Sequence, residues 1–338
     1  MSSANSTGAR MKDCTEVSFA CPVEGTVLGY YPNLGSGIFF AIAFALCLFA
    51  AAGLGAWKRT WTYCAAITVG LILETAGYVG RILLHYNPWN NGAFELQICA
   101  IILAPTFICV SVYLTLKHVA LHLAPHLSRV PAAWYPRIFL PADLTCLIVQ
   151  AIGGGITAAA GHENRKLQRA GNQAIIAGVA LQVVVLALFG LMGADYWRRA
   201  IRFVRSGEAP RETLALWNNS KFRQFVWAVT AAYIAILIRC VYRIVEMSGG
   251  WGNHIMQDQP SFLVLDATLV LIAVYLLTIF HPGLFFPQMR NGYAKEMAKA
   301  NSAGGATGTD AERDGESDET KNEATGAANN RRKVEQPA

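Results

Sequence analysis

The sequence predicts an all-α membrane protein that crosses the bilayer seven times. Of its 338 residues, 54% are hydrophobic and only 15% are charged, and the mean hydropathy is +0.33. Soluble domains carry about 25% charged residues, so this chain has too few to cover a water-exposed surface. Its apolar residues also cluster in blocks of about 20, the length that a helix needs to cross a hydrocarbon layer of about 30 Å. Because the strands of a membrane barrel are about ten residues long and alternate in polarity, we exclude a barrel.

The blocks follow one another from the N-terminus with few interruptions. The first and fifth contain no charged residue, whereas the second contains Glu74 and Arg81 within LILETAGYVGRILL. Pro105 interrupts the third near its centre, which frees a backbone carbonyl or permits a bend. Three glycines lie inside the fourth, where they indicate close helix packing rather than a nucleotide loop. The predicted spans are 36–56, 62–84, 95–116, 138–160, 172–194, 223–245 and 262–280.

Basic residues in the connections predict the orientation. The segments after the first, third, fifth and seventh spans contain fourteen Lys and Arg residues, whereas the opposite set contains five. Positive charge concentrates on the cytoplasmic side. We therefore expect the N-terminus to lie outside and the C-terminus in the cytoplasm. Since this topology explains the net charge of +6, it gives no reason to expect nucleic-acid binding.

Composition divides the chain into three regions. Residues 1–34 form a predicted extracellular segment, in which Asn5 begins a glycosylation sequon and Cys14 and Cys21 are able to form a disulfide in an oxidising compartment. Residues 35–283 form the seven-helix domain. Residues 284–338 are mostly small, polar or charged, and we expect a disordered cytoplasmic tail.

Ionisable residues inside the spans are the candidate functional residues, because charge within a bilayer is costly and marks a functional interior. A layer in the outer half is predicted from the second, sixth and seventh spans, with Glu95 at a similar depth. The fourth span contributes polar groups nearer the middle and the cytoplasmic side. The predicted substrate-binding or proton-relay residues are Glu74, Arg81, Asp143, Gln150, Arg239, Arg243, Glu246 and Asp266.

Two interpretations of the charged layer remain open at this point. The charges form either static buried pairs that fix helix register, or a polar cavity that binds a head group. In the second interpretation, a cationic amine binds to Glu74, Glu246 and Asp266. Arg81 and the other arginines then balance the charge of these carboxylates or bind a phosphate. Glu74 has the alternative role of relaying protons.

No enzymatic site is predicted. The chain has neither a phosphate-binding loop nor a C-x-x-C or H-E-x-x-H metal motif, so we expect no cofactor and no metal. His118, His122 and His126 recur every four residues, but Pro125 interrupts the helix and no carboxylate is close in sequence. We expect these histidines to form a polar interface between the membrane and the cytosol.

Six short motifs occur in an order that carries a resemblance to a known family. They are ETAGYVGR (74–81), LAPTFICVSVY (103–113), Asp143 with Gln150 and the triple glycine 153–155, Gly171 with Gly178 and Gln182, RCVYRIVE (239–246), and HPG (281–283). From about Tyr31 to Pro287 the chain resembles the fungal lipid-translocating exporters, the group that includes the aminocholesterol-resistance protein and the sphingoid long-chain-base exporter.

The resemblance implies a seven-helix protein of the plasma membrane or an internal membrane that exports a sphingoid base or related amphiphile and confers resistance to toxic amphiphiles. Of these membranes we expect the plasma membrane. Its implied partners are membrane lipids or amphiphilic small molecules. Asp258 stands in the last outer loop, where family members usually have a glutamate.

Two other functions compete with export. Seven spans with an outside N-terminus fit a membrane sensor or a regulator of lipid asymmetry that transports nothing, although the chain lacks the N-P-x-x-Y turn of many receptors. A metal-dependent intramembrane lipid hydrolase is the weaker alternative, because Pro125 breaks the histidine cluster.

Overall fold

The computed structural model describes residues 14–19, 21–132, 134–160, 164–207, 209–248, 254–286 and 289. The predicted glycosylation site Asn5 and the tail from residue 290 onward lie outside these residues. Within them, seven helices are long and apolar enough to cross a membrane. We number them α1 (Leu34–Trp57), α2 (Trp61–Tyr86), α3 (Asn91–Leu123), α4 (Trp134–Ala160), α5 (Arg165–Arg205), α6 (Ser220–Ser248) and α7 (Gln259–Phe285).

Each predicted span lies inside one of these helices, so the prediction of an all-α membrane fold with seven spans is confirmed. The largest difference is at the end of α5, which continues eleven residues past the predicted span to Arg205. Hydropathy falls there because Arg198, Arg199 and Arg202 enter the sequence. Arginine is nonetheless a good helix former, so the helix continues for about 16 Å at 1.5 Å per residue.

Asparagine side chains cap three of the four helices that begin on the predicted outer side. Asn33 accepts from the backbone N–H of Ser36 at 3.1 Å, and Asn90 accepts from that of Ala93 at 3.0 Å. Asn164 does the same at the start of α5. Each side chain satisfies one of the N–H groups that a helix leaves unpaired at its start.

Glycines bring neighbouring helices into backbone contact. A Cβ on Gly80 of α2 would lie 3.0 Å from both the Ala93 carbonyl oxygen and the Gln97 nitrogen of α3. A Cβ on Gly153 of α4 would lie 2.7 Å from the Gly171 carbonyl oxygen of α5. Small residues permit such approach in membranes, where lipid offers no hydrophobic force between helices.

The described part of the N-terminal segment packs against the connection between α2 and α3. Cys14 and Cys21 form a disulfide with a Cα–Cα distance of 5.9 Å. The Asn87 side chain donates to the Thr15 carbonyl at 2.8 Å, and the Trp89 indole donates to the Cys21 carbonyl at 3.3 Å. The segment is thereby attached beside the end of the bundle that contains the charged layer.

Candidate functional site

Four of the predicted residues form one buried ionic network between α6 and α7. Arg243 contacts Asp266 twice, through Nε–Oδ1 at 3.0 Å and Nη2–Oδ2 at 3.3 Å, and donates from Nη1 to Glu246 Oε2 at 2.7 Å. Arg239 Nε lies 2.8 Å from the same Asp266 Oδ1. All four residues are at most 8% exposed. Two arginines and two carboxylates therefore neutralise one another in a low-dielectric interior.

A π-helical turn presents Asp266 to this network. Residues Leu263–Thr268 form the π turn, and the Thr268 hydroxyl donates to the Leu263 carbonyl five residues earlier, at 2.8 Å. One extra residue in a turn changes the direction in which the side chains point, and such turns are frequent at functional sites. Here the turn coincides with the one carboxylate that both arginines share.

The proline in α3 supplies a second partner for Arg239. Pro105 has no backbone N–H, so the Ile101 carbonyl four residues earlier loses its helical partner. Arg239 Nη2 donates to that carbonyl at 2.7 Å, in a buried contact. The interruption of α3 therefore provides an acceptor for a charged side chain of α6, and it couples the two helices at the level of the ionic network.

Arg81 lies beside the network but bonds differently from the prediction. Its Nη2 donates to the Tyr30 hydroxyl at 3.0 Å, and its guanidinium carbon lies 4.5 Å from the centre of the Phe262 ring. Among the described residues it forms no ion pair, and Glu95 is exposed at the start of α3. Arg81 therefore lies buried beside the network without a carboxylate partner among the described residues, and Glu95 lies outside it. An aromatic face and a hydroxyl accommodate the guanidinium instead.

Glu74 is buried without an ion pair. It is 1% exposed, its Oε1 has no hydrogen-bond partner, and it forms no ion pair with another described residue. Arg239, Arg243 and Asp266 are near enough for their charges to act on it. The side chain thus lies at the edge of an already neutral network, which makes it the unmatched carboxylate of the layer.

The fourth helix contributes a separate polar region. The Tyr113 hydroxyl donates to Asp143 Oδ2 at 2.6 Å, while Asp143 Oδ1 has no partner within the described part of the chain. Gln150 donates to Gln182 Oε1 at 3.1 Å, and Gln182 donates to the Thr106 hydroxyl at 3.2 Å. This amide chain connects α4, α5 and α3, and neither Asp143 nor Gln150 joins the ionic network.

Within the described residues, two small cavities flank the network, each of about 20 Å³, which is room for about one water. Gln97 lines the first cavity, and its side-chain oxygen has no hydrogen-bond partner among the described residues. The first cavity is lined by Leu28, Tyr30, Arg81, Gln97, Ile98, Ile101, Arg243, Glu246 and Phe262. The second is lined by Ile102, Gln150, Ile175, Val179, Gln182, Arg239, Cys240, Arg243 and Met247.

The three spaced histidines have separate contacts. His118 Nδ1 lies 2.7 Å from the Leu114 carbonyl oxygen of its own helix. The rings of His122 and His126 pack against different phenylalanines, with centroid distances of 5.8 and 5.0 Å. Within the described ranges no group of His, Cys, Asp and Glu is arranged to hold a metal ion. In the last predicted outer loop, Asp258 accepts a hydrogen bond from the Ser261 hydroxyl.

Sequence reasoning missed two side chains of the site. Tyr30 belongs to the predicted extracellular segment, and Phe262 is an ordinary apolar residue at the start of the last span. Both contact Arg81, and Phe262 also lies 5.7 Å from the Arg243 guanidinium. No spacing rule predicts contacts between segments this far apart. The only available signal was that a buried arginine without a carboxylate needs an aromatic or hydroxyl partner.

Comparison with known proteins places this architecture in a family. The model of the RTA1 like protein family matches residues 67–289. The sphingoid long-chain base transporter RSB1 of Saccharomyces cerevisiae strain Lalvin EC1118 is 30% identical over 284 residues, which cover 76% of this chain and 74% of the relative.

Two more distant relatives extend the comparison. The lipid-translocating exporter-like protein RTA1 of Leptosphaeria maculans is 25% identical over 79% of this chain and 53% of its own length. Protoporphyrin uptake protein 1 of S. cerevisiae is 27% identical over 64% of this chain and 67% of its own length. No solved structure matches the chain. Because the family model covers most of the seven-helix domain, including the whole ionic network, the chain belongs to the RTA1-like protein family.

Proposed function

We propose that this protein exports single-chain amphiphiles of the sphingoid-base type from the cytoplasmic to the outer leaflet. The observation that carries the proposal is Glu74, a carboxylate that is buried beside a neutral ionic network and forms no ion pair with another described residue. A sphingoid base has one long hydrocarbon chain and a head that carries an amine. The names of the relatives, a sphingoid long-chain base transporter and a lipid-translocating exporter, support the same class of substrate.

The balance of charge explains why an amine suits this position. Arg239, Arg243, Glu246 and Asp266 are already matched, and removing any one of them would leave a buried charge uncompensated. Glu74 offers a further negative charge without disturbing that set. A protonated amine that reaches Glu74 completes the balance, while the hydrocarbon chain stays in an apolar environment.

The arginines have a supporting role in this proposal. Arg239 and Arg243 hold the carboxylates of Asp266 and Glu246 in place. Arg81, bound by a hydroxyl and an aromatic ring, is available to bind the phosphate of a phosphorylated substrate. In the alternative version of the mechanism, Glu74 carries a proton in exchange for the substrate, with Asp143 and Gln150 on the path to the cytoplasm.

The remaining expectations fit an exporter. We propose that the chain lies in the plasma membrane, in the orientation predicted from its basic connections, and that it increases tolerance to toxic amphiphiles. It has no catalytic reaction and no cofactor in this proposal. Glycosylation at Asn5 and a disordered tail at 284–338 are parts of the same expectation.

Reconstitution tests the proposal directly. Purified protein in liposomes should speed the movement of fluorescent sphingosine across the bilayer above the protein-free rate. Glu74→Gln keeps the side-chain size and should abolish the increase. Glu95→Gln is the matched control, because Glu95 is exposed and outside the network, and it should transport normally. No protein-dependent movement by the wild type, while its expression still alters lipid asymmetry in cells, would favour a regulator over a transporter.

A proton gradient separates the two roles of Glu74. If Glu74 exchanges protons for substrate, an imposed gradient should change the wild-type rate and leave Glu74→Gln unaffected. If it binds the amine alone, the gradient should have no effect on the protein-dependent rate.

A further inference from the structure

A larger apolar cavity lies between α3, α5 and α6, away from the ionic network. Its volume is about 340 Å³. Both aromatic and aliphatic side chains line it, together with a glycine that leaves space in the wall of α5. Representative lining residues are Val112, Leu116, Phe189, Gly193, Val226 and Tyr233.

Three of the hydroxyl groups that line the cavity already donate to backbone carbonyl groups of the protein. The Thr115 hydroxyl donates to the Ser111 carbonyl, and the Thr230 hydroxyl donates to the Val226 carbonyl, both at 2.8 Å. The Tyr233 hydroxyl donates to the Leu186 carbonyl at 2.9 Å. The Tyr196 hydroxyl, next to Trp197 in the sequence, has no hydrogen-bond partner among the described residues. Since most of the lining is apolar or already paired, the occupant that fits most of the cavity is a hydrocarbon.

The length of the cavity matches one leaflet. Its wall on α5 runs from Phe189 to Trp197, which is about 12 Å of helix, and its wall on α6 runs from Phe225 to Ile234, about 13 Å. Half of a hydrocarbon core of about 30 Å is about 15 Å. The cavity therefore runs along the depth that one lipid chain occupies, rather than across the bilayer.

Interfacial residues mark one end of the cavity. Trp197 stacks on Trp217 with ring centroids 5.0 Å apart. Two residues before Trp197, Asp195 pairs with Arg129 at 3.0 Å and with Arg199 at 3.1 Å. Trp side chains beside charged groups are typical of the boundary between hydrocarbon and water. This end is the cytoplasmic one in the predicted orientation.

The other end leads toward the ionic network. Continuing along α6 from Ile234, Arg239 follows five residues later, and Gln182 precedes Phe189 by seven residues on α5. These two residues line the small cavity that also contains Arg243. The same pair of helices thus borders the apolar cavity and, further in, the charged layer. Trp227 and Ile234, 69% and 48% exposed, leave the apolar cavity open to the surface of the bundle that faces lipid.

We infer that this cavity holds the hydrocarbon chain of a sphingoid base that enters sideways from the cytoplasmic leaflet, before its head moves to the charged layer. The inference rests on the proposed function, and it adds the place of entry and the position of the chain. It commits to a single-chain amphiphile, because one cavity of this volume accommodates one chain rather than the pair of a phospholipid.

Photolabelling of reconstituted protein tests the site. The reagent is sphingosine that carries a diazirine in its chain and an alkyne for capture, and labelled peptides are mapped by mass spectrometry. Labels should concentrate on the α3, α5 and α6 peptides that contain Leu116, Gly193 and Val226. Excess unlabelled sphingosine should remove them, whereas excess phosphatidylcholine should not. Labels spread evenly over the lipid-facing surface, or equal competition by phosphatidylcholine, would overturn the inference.

Filling the cavity with a larger side chain is the second test of the inference. Among the described residues, a Cβ on Gly193 would meet only the Leu116 side chain, at 3.5 Å, so Gly193→Phe is able to place its ring in the cavity. Leu191→Phe, on the exposed face of α5, is the size-matched control. Labelling and transport should be lost in Gly193→Phe and kept in Leu191→Phe. If Gly193→Phe does not fold, Leu116→Trp replaces it.

The outcomes separate this inference from the proposed function. Full transport by a folded Gly193→Phe variant would refute the cavity as the entry site and leave export intact. Competed labelling of the cavity in a wild-type protein that moves no sphingosine would refute export and leave the binding site intact.

Discussion

Asp266→Asn removes the negative charge that two buried arginines share, while it keeps the size of the side chain. Arg239 retains only the Ile101 carbonyl, at 2.7 Å, and Arg243 retains Glu246, also at 2.7 Å. Glu246→Gln is the matched comparison. It removes the same amount of charge from the network, but both arginines keep their contacts with Asp266.

The expected loss of stability follows from these contacts. Removing one partner of a buried ion pair costs about 3–5 kcal/mol, because the remaining charge has no compensation. Asp266→Asn affects two arginines and should reach that range. Glu246→Gln weakens one charged hydrogen bond and should cost about 1.5–3 kcal/mol. At about 2–4 °C per kcal/mol, Asp266→Asn should lower the melting temperature by at least about 6 °C.

Buried thiols provide the assay. Cys109, Cys146 and Cys240 are buried and free, so a maleimide dye that fluoresces on reaction reports unfolding during a thermal ramp in detergent. Cys99 is exposed, and a Cys99→Ser background removes its signal. A melting temperature for Asp266→Asn within about 1 °C of the parent, or a larger loss in Glu246→Gln, would refute the assignment of Asp266 as the centre of the network.

Three further predictions concern packing and the end of the bundle that contains the charged layer. Gly153→Ala should lower the melting temperature in the same assay, because its Cβ would lie 2.7 Å from a backbone oxygen. The control is Gly154→Ala, whose Cβ would meet no described atom within 4 Å and which should be neutral or slightly stabilising. Equal effects of the two variants would contradict the packing described. Tyr30→Phe removes the hydroxyl to which Arg81 donates and should lower the free energy of unfolding by about 1.5–3 kcal/mol. An unchanged melting temperature would contradict a stabilising role for this hydrogen bond. Cys14→Ser opens a short disulfide loop and should destabilise the N-terminal segment by about 2 kcal/mol. Limited proteolysis of that segment should become faster. Unchanged cleavage would show that the disulfide does not anchor the segment.

The fold was predictable from the sequence because the bilayer imposes one dominant rule. A span must be helical, about 20 residues long and mostly apolar, so composition alone locates seven helices. Helix ends are less predictable. The arginines that begin near residue 198 mark the end of the apolar block, but the helix continues to Arg205. Hydropathy indicates where the chain leaves the hydrocarbon layer, whereas a helix ends where its backbone hydrogen bonds end.

The sequence indicated which charged side chains are buried, but it indicated their pairing only in part. Helical spacing aligned Arg239, Arg243 and Glu246 on one face, and Arg243 does contact Glu246. Spacing within one helix says nothing about partners on another helix. The π turn that presents Asp266 and the contact of Arg81 with Phe262 depend on tertiary packing.

Pro105 shows how a local backbone effect leads to a contact between two helices. The sequence predicts a freed carbonyl, because proline has no N–H to donate. It does not reveal what takes the place of the missing donor. In the folded protein that donor is Arg239 of α6, so a defect in one helix becomes a contact point for another.

The role of Glu74 is tested most directly by comparing two substrates that share a hydrocarbon chain and differ at the amine. Sphingosine carries an amine, and N-acetylsphingosine has the same chain with an uncharged amide. Protein-dependent movement of each is measured in proteoliposomes after subtraction of the protein-free rate. Wild-type protein should move sphingosine faster, and Glu74→Gln should remove this difference while Glu95→Gln preserves it. Equal rates for the two lipids in the wild type, or selectivity that survives Glu74→Gln, would contradict the claim that Glu74 meets the amine.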